Sequence, residues 1–168
     1  LNIIYFILFF FIFFIHQYIF LDFFPNKNNK LGHDFEYFLP NFIFGKIWFQ
    51  KNFLDIPWFS PSFCCGTPFY SDPQTSFYSV QQIFYLIFEP VLATKILFSF
   101  FSFFGFCGMF LLLRKNFNIS LLVSYLGATL FLFNGFLVYR SIVGHIAYIN
   151  FSLIPIYCFL LIESFTNK

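Results

Sequence analysis

The residues best suited to chemistry lie in one short stretch, "GHDFE" at 32–36. His33, Asp34 and Glu36 fall within four positions, although the 168-residue chain has only seven Asp and Glu residues in total. A carboxylate whose surroundings hold its pKa near the working pH can act as a general base. Asp34 and Glu36 are therefore the candidate catalytic residues, and His33 is a candidate for substrate binding.

The same cluster has two other interpretations. His, Asp and Glu side chains also bind cations, so a divalent cation remains an open alternative. Three ligands so close in sequence are not a typical metal pattern, and we assign no metal ligands and no certain cofactor from it. Both acids could also be solvated residues at the end of a membrane span.

A second polar pair occurs late in the chain, where Arg140 and His145 interrupt an apolar region. The planar guanidinium of arginine can bind two phosphate oxygens at once. A carboxylate base and a phosphate-binding arginine together suit one kind of reaction. The base removes a proton from an acceptor while the arginine stabilises an anionic lipid-phosphate leaving group. Arg140 and His145 are therefore candidate substrate-binding residues.

The composition indicates the elements that must position these residues. Hydrophobic residues make up 60% of the chain and charged residues 10%, with a mean hydropathy of +0.78. Soluble domains carry about 25% charged residues. The chain is therefore predicted to be an integral membrane protein in contact with the lipid bilayer. Its net charge of +2, spread along the sequence, argues against a nucleic-acid partner.

Four apolar runs approach the length of about 20 residues that a membrane-spanning helix needs. They cover approximately residues 3–20, 91–113, 120–138 and 146–162. They are too continuously apolar for barrel strands, which alternate. We predict an all-α membrane protein with about four transmembrane helices, and with interfacial helices in a long first outer loop at 25–89. The whole chain, 1–168, is predicted to be the N-terminal part of one polytopic membrane domain.

The orientation follows from the shortest loop. Arg114 and Lys115 separate the second and third spans by a few residues, and short basic loops stay in the cytoplasm. The N-terminus is then cytoplasmic, and the 25–89 loop lies outside together with Arg140 and His145. Lysines within the long loop favour the opposite orientation, but long loops follow this rule poorly.

Single polar residues within the spans have simpler interpretations. His16 is predicted to be a packed or interfacial histidine, and Asn134 to form a hydrogen bond with another helix. Asp72 precedes Pro73, so its carboxylate is expected to cap a turn in the long loop.

The order of the loop motifs resembles the GT-C superfamily of bacterial membrane glycosyltransferases, and most closely its YfhO-like and related multi-spanning members. In that group a Gly-x-Asp element follows the first helix, and Trp-x-Pro, Gly-x-Pro, Asp-Pro-Gln and Phe-Tyr-Pro elements precede the second. The matching segments here are Gly32-His33-Asp34, Trp58-Phe59-Ser60-Pro61, Gly66-Thr67-Pro68, Asp72-Pro73-Gln74 and Phe77-Tyr78-Ser79. The second is one residue longer, and the last has Ser in place of Pro. The stretch from Phe133 to Tyr157 also resembles the third and fourth helices of that group.

The resemblance implies a bacterial inner (plasma) membrane protein that transfers a sugar from a polyprenyl-phosphate donor at the extracytoplasmic face. An acid in the first outer loop would act as the catalytic base or as a metal-dependent activator, and by position that acid is Asp34. Such proteins have more helices than this chain, so the chain is expected to be an inactive part of a larger enzyme.

Two other functions remain open. One is a transporter for lipids or lipid-linked sugars, which would need ionisable residues deep in several spans. The spans contain few besides Lys95 and His16, which disfavours transport. The other is a non-catalytic multi-spanning protein whose loop binds a partner.

Overall fold

The structure is a computed structural model that describes residues 3–23, 34–61, 65–72 and 74–166. Its seven α-helices are α1 (Ile3–Phe20), α2 (Phe35–Asn52), α3 (Val80–Ile87), α4 (Pro90–Leu111), α5 (Leu121–Leu132), α6 (Gly135–Ile142) and α7 (Ile154–Thr166). A two-stranded antiparallel hairpin pairs β1 (Phe59–Ser60) with β2 (Thr67–Pro68). The described part of the chain is otherwise helices and turns.

Four helical stretches are long and apolar enough to cross a membrane, and they confirm the predicted all-α membrane fold. They run over Ile3–Phe23, Pro90–Asn116, Leu121–Ile142 and Ile146–Thr166. Continuous apolar helices satisfy every backbone amide internally, which lipid requires. We call the two ends of this bundle the Asp34 end and the Arg114 end, after the residues that lie there.

The third and fourth spans are irregular at the Asp34 end. The third changes from α5 to α6 at residues 133–134, where the Asn134 side chain accepts a hydrogen bond from the Phe136 amide at 2.8 Å. Asn134 therefore caps its own short helix, and the prediction that it bonds to another helix is wrong. Asparagine is among the best N-cap residues, and a cap needs no neighbouring helix. The fourth span begins as a 3-10 helix, Ile146–Leu153, before α7.

The connecting segment between the first two spans packs α2 against α3. In α3 the buried residues are Gln81, Gln82 and Tyr85, whereas Val80 and Ile83 on its other side are exposed. This arrangement reverses the usual pattern of a soluble helix. It fits a helix that turns its apolar side to lipid, as interfacial helices do.

Hydrophobic contacts form two large clusters, one toward each end of the bundle. The cluster at the Asp34 end includes Phe35, Phe42 and Tyr85, and it joins α2 and α3 to α4 and to the 3-10 helix. The cluster toward the Arg114 end centres on Phe106 and Tyr125 of α4 and α5, with α1 packed against it. The candidate site residues lie beside the first of these clusters.

Candidate functional site at the Asp34 end

The start of α2 is joined to the turn between α6 and the 3-10 helix. Asp34 is the N-cap residue of α2, and its carbonyl accepts the amides of Tyr37 and Phe38 at 3.0 and 2.9 Å. Its own amide donates to the Val143 carbonyl at 3.2 Å. Residues separated by more than 100 positions in the sequence therefore meet through their backbones.

Gly144 makes this close approach possible. Its φ of +88° lies in the left-handed region, which residues with a Cβ rarely adopt. A Cβ at this position would lie 2.5 Å from the backbone nitrogen of Phe35. The glycine thus lets α2 begin directly against the turn that carries His145.

Three predicted site residues form a continuous chain of side-chain contacts. Asp34 Oδ2 lies 2.6 Å from His145 Nε2, and His145 Nδ1 lies 2.8 Å from Arg140 Nη1. A guanidinium can only donate, so Nδ1 accepts and the ring proton sits on Nε2, where it is donated to Asp34. His145 is consequently fixed through both ring nitrogens, and it connects the carboxylate to the guanidinium.

Aromatic rings hold the guanidinium of Arg140 in place. Its Cζ lies 5.3 Å from the centre of the Phe136 ring and 5.0 Å from that of Tyr148. Such cation–π contacts contribute about 0.5–1 kcal/mol each at exposed sites and more where water is excluded. The Nε atom is buried and has no hydrogen-bond partner within the described ranges. Part of the donor capacity of Arg140 is therefore not used by the residues that the structure describes.

The carboxylate of Asp34 remains accessible. Its side chain is 45% exposed, compared with 26% for that of His145. A molecule that approaches this end of the bundle can therefore reach the Asp34 carboxylate, whereas His145 contacts Asp34 from the protein side.

The other predicted site residues are placed differently. Glu36 lies in the first turn of α2, is exposed, and follows Asp34 by two residues, which puts it on another side of the helix. His33 lies outside the described residues. Over residues 3–23, 34–61, 65–72 and 74–166 the structure shows no group of three or more His, Cys, Asp and Glu side chains that could hold a metal ion.

A neighbouring contact supports the site from the connecting segment. Tyr37 donates to Asp72 Oδ2 at 2.7 Å, and the Gln74 amide donates to Asp72 Oδ1 at 2.8 Å. The prediction that Asp72 caps a turn is confirmed. Burial, and then the hydrogen bond to Asp72, raise the pKa of Tyr37, which therefore stays a neutral donor. Sequence reasoning missed Tyr37, although its position one turn after Asp34 places both on one side of α2.

Comparison with known proteins gives no match: no protein-family model, no curated protein and no solved structure matches this chain. The membership of the GT-C superfamily therefore stays a prediction from the sequence motifs. The function of the site has to be argued from its own geometry.

Proposed function

We propose that the chain forms part of a GT-C-like glycosyltransferase, which transfers a sugar from a polyprenyl-phosphate donor to an acceptor hydroxyl. The observation that carries this proposal is the chain of contacts from Asp34 through His145 to Arg140. It joins an accessible carboxylate to a guanidinium at the end of a membrane bundle. Those are the two groups that transfer from a lipid phosphate needs.

Asp34 acts as the base in this proposal. One of its oxygens is fixed by His145, and the exposed remainder of the carboxylate can accept the proton of an acceptor hydroxyl. As that O–H bond breaks, the acceptor oxygen bonds to the anomeric carbon of the sugar. The bond between that carbon and the phosphate oxygen breaks at the same time, and its electron pair leaves with the polyprenyl phosphate.

Arg140 binds the phosphate of the donor. The guanidinium has five N–H donors, of which one on Nη1 serves His145 and one, on Nε, is buried. The remaining donors on the terminal nitrogens can bind phosphate oxygens as the negative charge develops. Phe136 and Tyr148 limit its movement, so little reorganisation is needed during the reaction. His145 contributes to donor binding by holding Arg140 at a fixed distance from Asp34.

The remaining assignments are secondary. Glu36 or His33 would assist, and Glu36, as an exposed acid, could contact the acceptor. The reaction would take place on the extracytoplasmic side of a bacterial inner membrane, with the N-terminus in the cytoplasm. The basic loop at Arg114 and Lys115, at the opposite end of the bundle, supports this orientation.

A substitution that removes only the negative charge tests the proposal. In the full-length protein, Asp34→Asn should lower sugar transfer from polyprenyl-phosphate glucose or mannose by about 100-fold or more, the usual contribution of a general base. Asp55→Asn is the matched control, because it makes the same change at an exposed acid beyond the other end of α2 and should retain nearly normal transfer. Undiminished transfer by Asp34→Asn at normal expression would remove Asp34 from the mechanism.

A transporter for lipids or lipid-linked sugars is the second candidate function. The observation that favours it is the interruption of the third and fourth spans, because broken helices line substrate sites in many transporters. Reconstituted vesicles distinguish the two functions. Movement of a fluorescent polyprenyl-phosphate sugar between leaflets without loss of its sugar would support transport, whereas sugar transfer would support the enzyme.

A further inference from the structure

A second polar group lies inside the bundle, apart from the site at its surface. His16 and Gln17 are the only buried residues of α1, and His16 is fully buried, whereas most of the Phe and Ile side chains of this helix are partly or largely exposed. Burying a polar group in an apolar interior costs free energy unless it finds hydrogen-bond partners. The first span therefore contacts the bundle here through its least apolar residues.

Hydrogen bonds determine which ring nitrogen of His16 carries the proton. Gln17 Nε2 lies 3.0 Å from His16 Nδ1, and the Ser99 hydroxyl donates to Gln17 Oε1 at 2.6 Å. An amide nitrogen can only donate, so Nδ1 accepts and the proton of the neutral ring is on Nε2. Among the residues that the structure describes, Nε2 has no hydrogen-bond partner although it is buried. The backbone of Leu132, at the end of α5, lies near the ring but does not meet hydrogen-bond geometry with Nε2.

A small cavity adjoins the His16 ring. Its polar lining comes from three serines on three other elements, Ser102 of α4, Ser141 of α6 and Ser152 of the 3-10 helix. The cavity volume that a water molecule can occupy is about 10 Å³, close to what a single water needs. The Ser141 hydroxyl already donates to the Leu137 carbonyl, so its oxygen remains an acceptor toward the cavity.

We propose that this cavity is a binding site for one water molecule. The water accepts a hydrogen bond from the N–H group at His16 Nε2, and it donates hydrogen bonds to serine oxygens of the interrupted third and fourth spans. A buried water is retained where it finds two to four polar partners, which an imidazole and three hydroxyls supply. The cavity is too small for an organic ligand. With one imidazole and no carboxylate, its lining does not resemble a metal site.

The position of this water gives it a role in the architecture. It joins the first span to Ser141, which directly follows Arg140, and to the 3-10 helix that follows His145. The two short elements that carry the surface site are thus connected to the rest of the bundle through a hydrated contact. The inference does not depend on the enzymatic function, because it rests only on His16 and the serines.

Radiolytic hydroxyl-radical footprinting of the full-length protein in lipid nanodiscs tests the site. X-ray pulses generate radicals from bound water, and these label side chains in contact with it. Phe98 and Phe106 are both buried, but only Phe98 lines the cavity. We expect labelling of Phe98 to be several-fold faster than that of Phe106. Equally slow labelling of both residues would show a dry cavity and overturn the proposal.

A filling variant and its control make the test specific. Ser102→Val removes one polar partner of the water, and its larger side chain fills part of the cavity. It should therefore reduce Phe98 labelling to the level of Phe106. Ser124→Ala removes a buried hydroxyl that donates to the Ser120 carbonyl away from the cavity, and it should leave Phe98 labelling unchanged. Persistent labelling of Phe98 in a folded Ser102→Val protein would contradict the proposal. Should that variant fail to fold, the comparison of Phe98 with Phe106 in the unmodified protein decides.

Discussion

The two ends of the bundle are held together by different kinds of contact. At the Asp34 end, side chains bond across long sequence separations, as Asp34 does with His145 and as Gln81 does with the Ile146 carbonyl at 3.1 Å. Toward the Arg114 end, helices pack through rings and glycines, such as Phe9 stacked on Phe106 with ring centres 4.2 Å apart. The Asp34 end therefore adds directional polar contacts to its apolar cluster, whereas the other end is held mainly by close apolar packing.

The difference follows from the regularity of the backbone. Where spans are interrupted, carbonyl and amide groups lose their helical partners, and in an apolar environment other groups must satisfy them. At this end Gln81 donates to the Ile146 carbonyl of the 3-10 helix, and Gln82 donates to the Phe42 carbonyl of α2 at 3.1 Å. Regular helices need no such help, so α4 can approach α5 and α7 through small residues and flat rings. The candidate site lies where the backbone is irregular and side chains are held by directional bonds.

The largest effect is expected from a substitution that disrupts the backbone contact between the Gly144 turn and the start of α2. Gly144→Ala places a Cβ in a left-handed conformation and 2.5 Å from the Phe35 amide nitrogen. Conformational strain and overpacking together should lower the free energy of unfolding by about 3 kcal/mol. Thermal unfolding in detergent, followed by circular dichroism, measures the loss. The fluorescence of Trp48 and Trp58, both in the connecting segment, should also change if α2 leaves the turn.

Gly135→Ala provides the control for this substitution. A Cβ at Gly135 would meet nothing within 4 Å, and the residue begins a helix, where alanine is favoured over glycine. Its stability should be unchanged or slightly higher. Equal melting temperatures for Gly144→Ala and Gly135→Ala would show that the turn does not need its glycine.

A smaller effect is expected from breaking the Arg114 end. A Cβ at Gly108 of α4 would lie 2.6 Å from the backbone nitrogen of Ile156 in α7. Gly108→Ala should therefore cost about 2 kcal/mol through overpacking, without the added strain of a left-handed residue. The fluorescence of Trp48 and Trp58 in the folded protein should not change, because the Asp34 end is not touched. A change in that fluorescence would show that the two ends are coupled, contrary to the comparison.

The sequence predicts the parts of the fold that lipid imposes. Four apolar runs of sufficient length indicated four spans, because a spanning helix must be long and apolar. Placing Asp34, Arg140 and His145 at one end followed from the same reasoning, since alternate loops share a side of the membrane. Their direct contact was not predictable, because it depends on the conformation of Gly144 and on which nitrogen of His145 meets which partner.

The interruptions of the third and fourth spans also escaped sequence reasoning. Residues 120–138 are apolar throughout apart from small polar side chains, so hydropathy alone describes one helix. Asn134 can cap a helix or bond to a neighbouring one, and only the packing of α6 decides between them. The buried pair His16 and Gln17 resembles any isolated polar residue in a span until the elements around it are known.

The smallest effect is expected from removing a single hydrogen bond toward the Arg114 end. Tyr125 of α5 stacks on Tyr5 with ring centres 5.9 Å apart, and its hydroxyl donates to the Tyr5 carbonyl at 2.9 Å. Tyr125→Phe removes the hydrogen bond and keeps the ring. Because single side-chain hydrogen bonds within membrane bundles contribute only about 0.6 kcal/mol on average, the melting temperature should fall slightly. Tyr125→Ala removes the stacked ring as well and should be far more destabilising. If both substitutions cost the same, the hydroxyl rather than the ring would hold α1 to α5, and polar contacts would dominate at both ends.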